Sequence, residues 1–461
     1  MSVGSHPQPR AIWLPLKAAL GNSKADRIRV IGLFSFFFLV IAAFWVQKPI
    51  RTSQFLMAVG PKGLPWAKIG TALLILPVVL LYSGIVARHR REHMVYFCTA
   101  FFAACSLAFW WLFSFSPEHA WTHYAYFFYV DIFNSVLVTL FWSFANDLTS
   151  PDQARREYGF IGAGGIIGGV AGSSLTGWTV ARLGAPNLLL ICVILLAAIA
   201  AVARVIARQD APTTTGQRPA ASLQDAVAGA RLTLHSRYLT YIAAIVVLYE
   251  IASNLIDYQF NTLVAERYHD AEAMASFLGQ FSAFSIAAAI LTQFVITTWI
   301  LRQWGPRVGL LILPMVVGLG SVSFLIVPAF AVIAATFFGD ATLSYSLNQA
   351  AKELLYTPTD EASKYQAKAF IDMFLMRLGK GISAVLLLGW IAVVSPRGWG
   401  TNWLGLVVAA IVSVWIGVAW AVARRFSEQT KSPHRKGIEP QQTTSPSYPV
   451  ALESAAARET L

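Results

Sequence analysis

Ser150-Pro151-Asp152-Gln153-Ala154-Arg155-Arg156 and Thr357-Pro358-Thr359-Asp360-Glu361-Ala362-Ser363-Lys364 each follow a long apolar run, and their aspartates Asp152 and Asp360 stand 208 positions apart. The interval recurs. Asp131 lies 209 positions before Asp340, and Lys48 lies 209 before Asp257. Polar landmarks repeated at one interval in an apolar chain read as two halves of equal plan. Apolar it is: 56% of the 461 residues are hydrophobic and 13% are charged, with 30 Phe and 15 Trp. A water-soluble chain carries about 25% charged residues. This composition excludes a soluble or disordered protein.

A helix needs about 20 apolar residues to cross a bilayer. Twelve such spans fit between residues 30 and 423. They include span one at 30–57, span two at 65–87, span four at 121–145, span five at 159–184, span seven at 238–262, span ten at 328–349, span eleven at 367–395 and span twelve at 402–423. The expected fold is an all-α polytopic membrane protein of about 12 transmembrane helices in two pseudo-symmetric six-helix halves, the major facilitator plan. Residues 1–29 form an N-terminal tail and 30–206 the first half. Residues 207–237 form a linker, in which Ser222 opens an amphipathic helix to Leu234 on the membrane surface. Residues 238–425 form the second half, and 426–461, rich in Pro, Ser, Thr and Gln, a disordered tail. A weaker pattern at 11–20 suggests a short interfacial helix. The polar, basic start does not fit a cleavable signal peptide.

The net charge of +12 would suggest nucleic acid in a soluble protein. Its placement gives a different reading. With the termini inside, 26 of the 35 Lys and Arg fall on the cytoplasmic side and five on the other: Lys62, Lys68, Arg182, Arg267 and Arg397. That asymmetry predicts both termini in the cytoplasm and an inner-membrane location, with no nucleic-acid partner.

The four remaining cations lie within spans, together with five acids. Ionisable residues there are rare and mark pathways. Span one ends in Lys48-Pro49-Ile50-Arg51. Span four holds Asp131, span seven Glu250 and Asp257, span ten Asp340, and span eleven Asp372, Arg377 and Lys380. Glu250 and Asp257 share a helix face with Asn254, and Arg377 and Lys380 share another. Lys48, Arg51, Arg377 and Lys380 suit a phosphorylated anion, arginine gripping phosphate bidentately and lysine as a point charge. Asp131 and Asp257 then pair with free cations or take protons between states. Glu250, Asp340, Asp372 and Asn254 are candidates for coupling or gating. Blander readings pair Asp372 with Lys368 four residues before it and make Asp340 a structural echo of Asp131. Trp45, Tyr129, Phe133, Trp142 and Tyr258 lie near the charges, where packing is the default role of an aromatic ring.

Enzymatic motifs are lacking. Leu378-Gly379-Lys380-Gly381 is no phosphate-binding loop, because Phe374 stands where the first glycine belongs. Gly164, Gly168 and Gly172 in span five fit close helix packing. Cys98, Cys105 and Cys192 sit in apolar runs with no metal-ligand spacing. No catalytic residue, metal or cofactor is expected.

Leu140-Phe141-Trp142-Ser143-Phe144-Ala145-Asn146-Asp147, with Asp152 and Ala154-Arg155-Arg156-Glu157-Tyr158 after it, resembles the ATP/ADP translocase family of plastids and intracellular bacteria. So do Lys364-Tyr365-Gln366-Ala367-Lys368-Ala369-Phe370-Ile371-Asp372, Arg377-Leu378-Gly379-Lys380 and Asn254-Leu255-Ile256-Asp257. The resemblance implies transport of nucleotides, ATP against ADP plus phosphate or nucleotides with protons. It places the family's important charges on Lys48, Asp131, Asp257 and Lys380. Two departures bear on substrate: Asp131 and Asp257 stand where that family has glutamate, and Lys48-Pro49-Ile50-Arg51 replaces a Lys-Asp step. Two other readings remain, a proton-coupled transporter of another organic anion or phosphorylated metabolite and a non-transporting membrane scaffold or sensor.

Overall fold

The computed structural model describes residues 23–86, 91–115, 119–208, 223–357, 367–368 and 370–431. These residues form helices joined by short turns, with no strand among them. Eleven of the helices are long and apolar enough to cross a membrane. A further apolar helix of 23 residues, Leu64–Val86, lies between the first two of them, where span two was expected. Spans one to six are Lys24–Ala58, Leu64–Val86, Arg91–Phe115, Ala120–Leu148, Pro151–Leu183 and Ala185–Ala207. Spans seven to ten are Arg237–Arg267, Ala271–Gln303, Gly305–Ile326 and Phe330–Leu355. Span eleven is regular from Met376 to Gly389, and span twelve is Leu404–Lys431.

Several helices outrun their apolar segments, because hydropathy marks the bilayer while caps mark the helix. Span one begins at Lys24, inside the stretch read as tail, where Ser23 Oγ accepts from the Asp26 amide at 2.9 Å. Span five begins at Pro151 in a capping box. Gln153 N donates to Ser150 Oγ at 3.4 Å and Ser150 N donates to Gln153 Oε1 at 2.9 Å. The motif at 150–158 is thus the first turns of a helix. Span twelve continues to Lys431, six residues past the boundary drawn at 425. Basic residues do not break a helix, and at its C-terminus they suit its dipole. The linker holds a helix at Leu223–His235, tied to span seven by Thr240 Oγ1 donating to the Thr233 carbonyl at 2.8 Å. Ser222, residues 11–20 and most of the second repeat motif, 358–366, lie outside the described residues.

Each half has its own core. Leu33, Phe36, Val40, Phe133, Leu137 and Phe141 belong to the first, and Ile242, Leu255, Leu313, Leu355, Val412 and Trp415 to the second. In lipid such packing works by close fit rather than by removing apolar surface from water. Span five shows how. A Cβ on Gly168 or Gly172 would collide with the Phe38 and Ala42 carbonyls of span one. The packing reading of those glycines is right. Cys98 and Cys192 are buried and all three cysteines are free.

The start of span one at Lys24 and the end of span twelve at Lys431 lie on one side of the bundle, the termini side; the opposite face is the far side. The halves meet at the far side. Phe55 and Leu56 at the end of span one, Leu64 and Ala67 at the start of span two, and Phe127 all join the core of the second half. Ala275, early in span eight, joins the core of the first. There Gly177 accepts from Ser276 Oγ at 2.5 Å and from Gln280 Nε2 at 3.1 Å. A Cβ on Gly279 would lie 2.7 Å from the Gly177 nitrogen, so the backbones touch only because both residues are glycine. Toward the termini side, Leu33, Phe144 and Ile161 belong to the core of the first half, and Leu239, Ala351 and Val422 to that of the second.

Candidate functional site

Span one carries the first cations past a proline. Pro49 has no N–H for the Trp45 carbonyl, which loosens the helix one turn before Arg51. Lys48 Nζ lies 4.1 Å from the centre of the Trp45 ring and forms no ion pair among the described residues. It stands within electrostatic reach of Arg51, Asp131, Asp257 and Lys380, so four elements bring their charges together around it. Arg51 pairs with Asp131 of span four, with its guanidinium 4.1 Å over the Phe127 ring. Thr71 Oγ1 of span two donates to the other Asp131 oxygen at 3.2 Å.

Asp257 finds its cation across the halves. Lys68 Nζ donates to Asp257 Oδ2 at 2.7 Å and to Asn254 Oδ1 at 2.9 Å. Asn261 Nδ2 donates to Asp257 Oδ1 at 2.9 Å. These bonds sit toward the far side, beside the apolar contacts that close it. Lys380 approaches Glu250 at 4.0 Å; its side chain is 53% exposed while that of Glu250 is 7% exposed. An exposed ammonium facing a buried carboxylate in mid-bundle marks open space between the halves. Arg377, about one turn toward the termini side, is exposed and forms no ion pair among the described residues.

Asp372 departs from expectation. It pairs with Lys352 at 3.3 Å, while Lys368 pairs with Glu353 at 2.6 Å. A π-helical turn at Ile371–Leu375 shifts the register that an i,i+4 pair with Lys368 needs. Both pairs join span eleven to the end of span ten, apart from the central group. Asp340 receives Ser253 Oγ at 2.6 Å on one oxygen; the other is buried without a hydrogen-bond partner.

Two cations that matter lie outside the in-span group expected from sequence. Lys68 lies in the second turn of span two, and Lys352 is buried in span ten. A lysine four residues inside an apolar segment was the available signal for Lys68. A third pair, Arg29 with Glu157 at 3.0 Å, is buried between the first turns of spans one and five. Among the five aromatics noted, Trp45 lines a cavity. Tyr129, Phe133 and Tyr258 are buried in the cores, and Trp142 packs edge-on to Phe37.

The sequence matches the model of the TLC ATP/ADP transporter family over residues 108–344 and 340–426. It is 25% identical over 345 residues to the plastidic ATP/ADP-transporter of Solanum tuberosum, covering 67% of this chain and 54% of that protein. It is 23% identical over 355 residues to ADP,ATP carrier protein 1 of Chlamydia pneumoniae, covering 67% and 68%. The chain thus spans about half the length of the plant relative. The fold is similar to that of the POT family transporter PepTSo, with a TM-score of 0.62 at 12% identity over 87% of this chain and 98% of that one. Two six-helix halves, charges gathered on the spans between them and a family match over most of the membrane region agree: this chain belongs to the TLC ATP/ADP transporter family.

Proposed function

We propose that the chain exchanges nucleotides, ATP against ADP, by alternating access through the space between its halves. The observation that carries this reading is the state of Lys48 and Lys380. One ammonium rests on an indole ring and the other is half exposed, 4.0 Å from the one acid it pairs with among the described residues. Cations held in mid-membrane without tight partners are costly, and a polyanionic phosphate chain is the ligand that satisfies both. Arg377, one turn below Lys380, adds a guanidinium on the route in. Arg51 is committed to Asp131, so its role in binding requires that pair to open.

The acids set the return step. Glu250 stands 4.0 Å from Lys380 and offsets its charge between substrates, while Asp257 is held by Lys68. Lys68 with Asp257 and Asn254 forms the far-side latch, and this pair must separate when the carrier turns over. The excess of Lys and Arg on the termini side supports that side facing the cytoplasm and an inner-membrane location. Protons enter where a carboxylate loses its cation partner during the cycle.

The test is uptake of labelled ATP into proteoliposomes. Uptake stimulated by internal ADP, competed by nucleotides and not by other organic phosphates, is the expected result. A folded protein that takes up or binds no nucleotide contradicts the reading.

A further inference from the structure

Asp340 lines a cavity of about 130 Å³ between spans one, seven, eight and ten, walled by Trp45, Tyr249, Phe281 and Phe337 and open at Tyr345. Lys48 also lines it. Asp340 is 3% exposed, and its Oδ1 has no hydrogen-bond partner. Ser253 holds Oδ2 at 2.6 Å, which fixes the carboxylate and leaves one acceptor free. Span ten then breaks into a π-helical turn at Ser344–Asn348, which sets Ser344 and Tyr345 on the cavity wall. Such turns occur often at functional sites.

These features fit a flat ring with an N–H donor on its edge. A water needs about 10–15 Å³ of such space, so the cavity is roughly ten times too large to serve a proton or one water. Aromatic faces stack on any base, and a buried carboxylate oxygen with no hydrogen-bond partner among the described residues chooses among them. We propose that this cavity is the base subsite of the carrier and that Asp340 Oδ1 accepts from the exocyclic amine of adenine; the inference rests on the nucleotide reading above. Lys48 stands on the Trp45 ring at 4.1 Å. When a phosphate draws it away, the ring face becomes free for the base, so phosphate and base binding are linked through one side chain. Guanine places two donors side by side and matches a carboxylate with both oxygens open, which Ser253 prevents.

The experiment compares ATP, ITP and GTP as competitors of labelled ATP binding to the purified full-length protein. ITP differs from ATP by a carbonyl in place of the exocyclic amine. The wild type is expected to favour ATP over ITP roughly tenfold or more, since a lost bond to a charged acceptor leaves that acceptor buried and bare. Asp340→Asn presents an amide that serves either edge, and the ratio should fall to about threefold or less. Ser253→Ala, a mild change that keeps the fold testable if Asp340→Asn does not assemble, frees Oδ2 and should improve GTP competition roughly tenfold. A wild type that binds ATP with the same ATP-to-ITP ratio as Asp340→Asn, or GTP competition unchanged by Ser253→Ala, overturns the inference. A wild type that binds no nucleotide overturns the functional reading as well.

Discussion

Asp131 in span four and Asp340 in span ten stand 209 positions apart in equivalent helices of the two halves. Asp131 receives Arg51 and Thr71. Among the described residues Asp340 receives only Ser253. The same interval applied to Arg51 lands on Phe260, which is 1% exposed and stacks on Phe337 at 4.5 Å and Phe281 at 4.9 Å. The repeat kept the acid and replaced its cation with an aromatic ring. One half therefore holds a satisfied ion pair, and the other holds an acid facing a cavity. Equal sequence positions do not give equal chemistry when the partner comes from another helix.

The comparison can be broken from the first half, where the largest effect is expected. Arg51→Ala leaves Asp131 within the bundle without its cation, which should cost about 3 kcal/mol, the lower end for a broken buried pair because Asp131 is 25% exposed. Thermal unfolding in detergent would show it as a clear drop in melting temperature. Asp131→Asn is milder, since the amide oxygen still accepts from Arg51, and about 1–2 kcal/mol is expected. Unfolding of Arg51→Ala with Asp131→Asn combined should be less than additive, because both remove one interaction.

The far-side latch comes next. Lys68→Ala removes two bonds that cross the halves, each partly exposed, and about 1 kcal/mol of the closed state with them. That shifts the balance between far-side-closed and far-side-open forms several-fold. Spin labels at 60 and 268 on a cysteine-free background should report a larger far-open fraction. An unchanged distance distribution would show that the apolar contacts of Phe55, Leu56 and Leu64 close this side without the latch.

Asp340→Asn should have the smallest effect on stability and the opposite sign from Asp131→Asn. It strands no cation and relieves a buried charge, so the melting temperature should hold or rise slightly. A loss equal to that of Asp131→Asn would mean that both acids are structural.

Much of this was legible in the sequence. Twelve apolar segments, a two-half repeat and a one-sided charge distribution gave the fold, because span length and loop charge answer to the bilayer alone. The central group on spans one, four, seven and eleven was legible for the same reason: a charge in lipid needs a purpose. Partners were not legible. Lys68 was taken for a loop residue, although its ammonium bonds Asp257 across the halves. Asp372 looked like the partner of Lys368 until a π turn altered the register. Both errors arise where one helix meets another, which spacing along a single helix does not encode. At Asp340, where no ion pair forms among the described residues, the 209-residue interval applied to Arg51 lands on an aromatic ring, Phe260.

The central claim is that Lys48 and Lys380 are kept loosely paired for a nucleotide between the halves. A ligand that binds only the folded protein raises its apparent stability in proportion to the logarithm of its concentration. The melting temperature of the purified protein, titrated with ATP, should rise steadily for the wild type and stay nearly flat for the Lys48→Ala and Lys380→Ala variants, with all three folded at the start. A wild-type curve that ATP does not move, or equal rises in all three proteins, would contradict it.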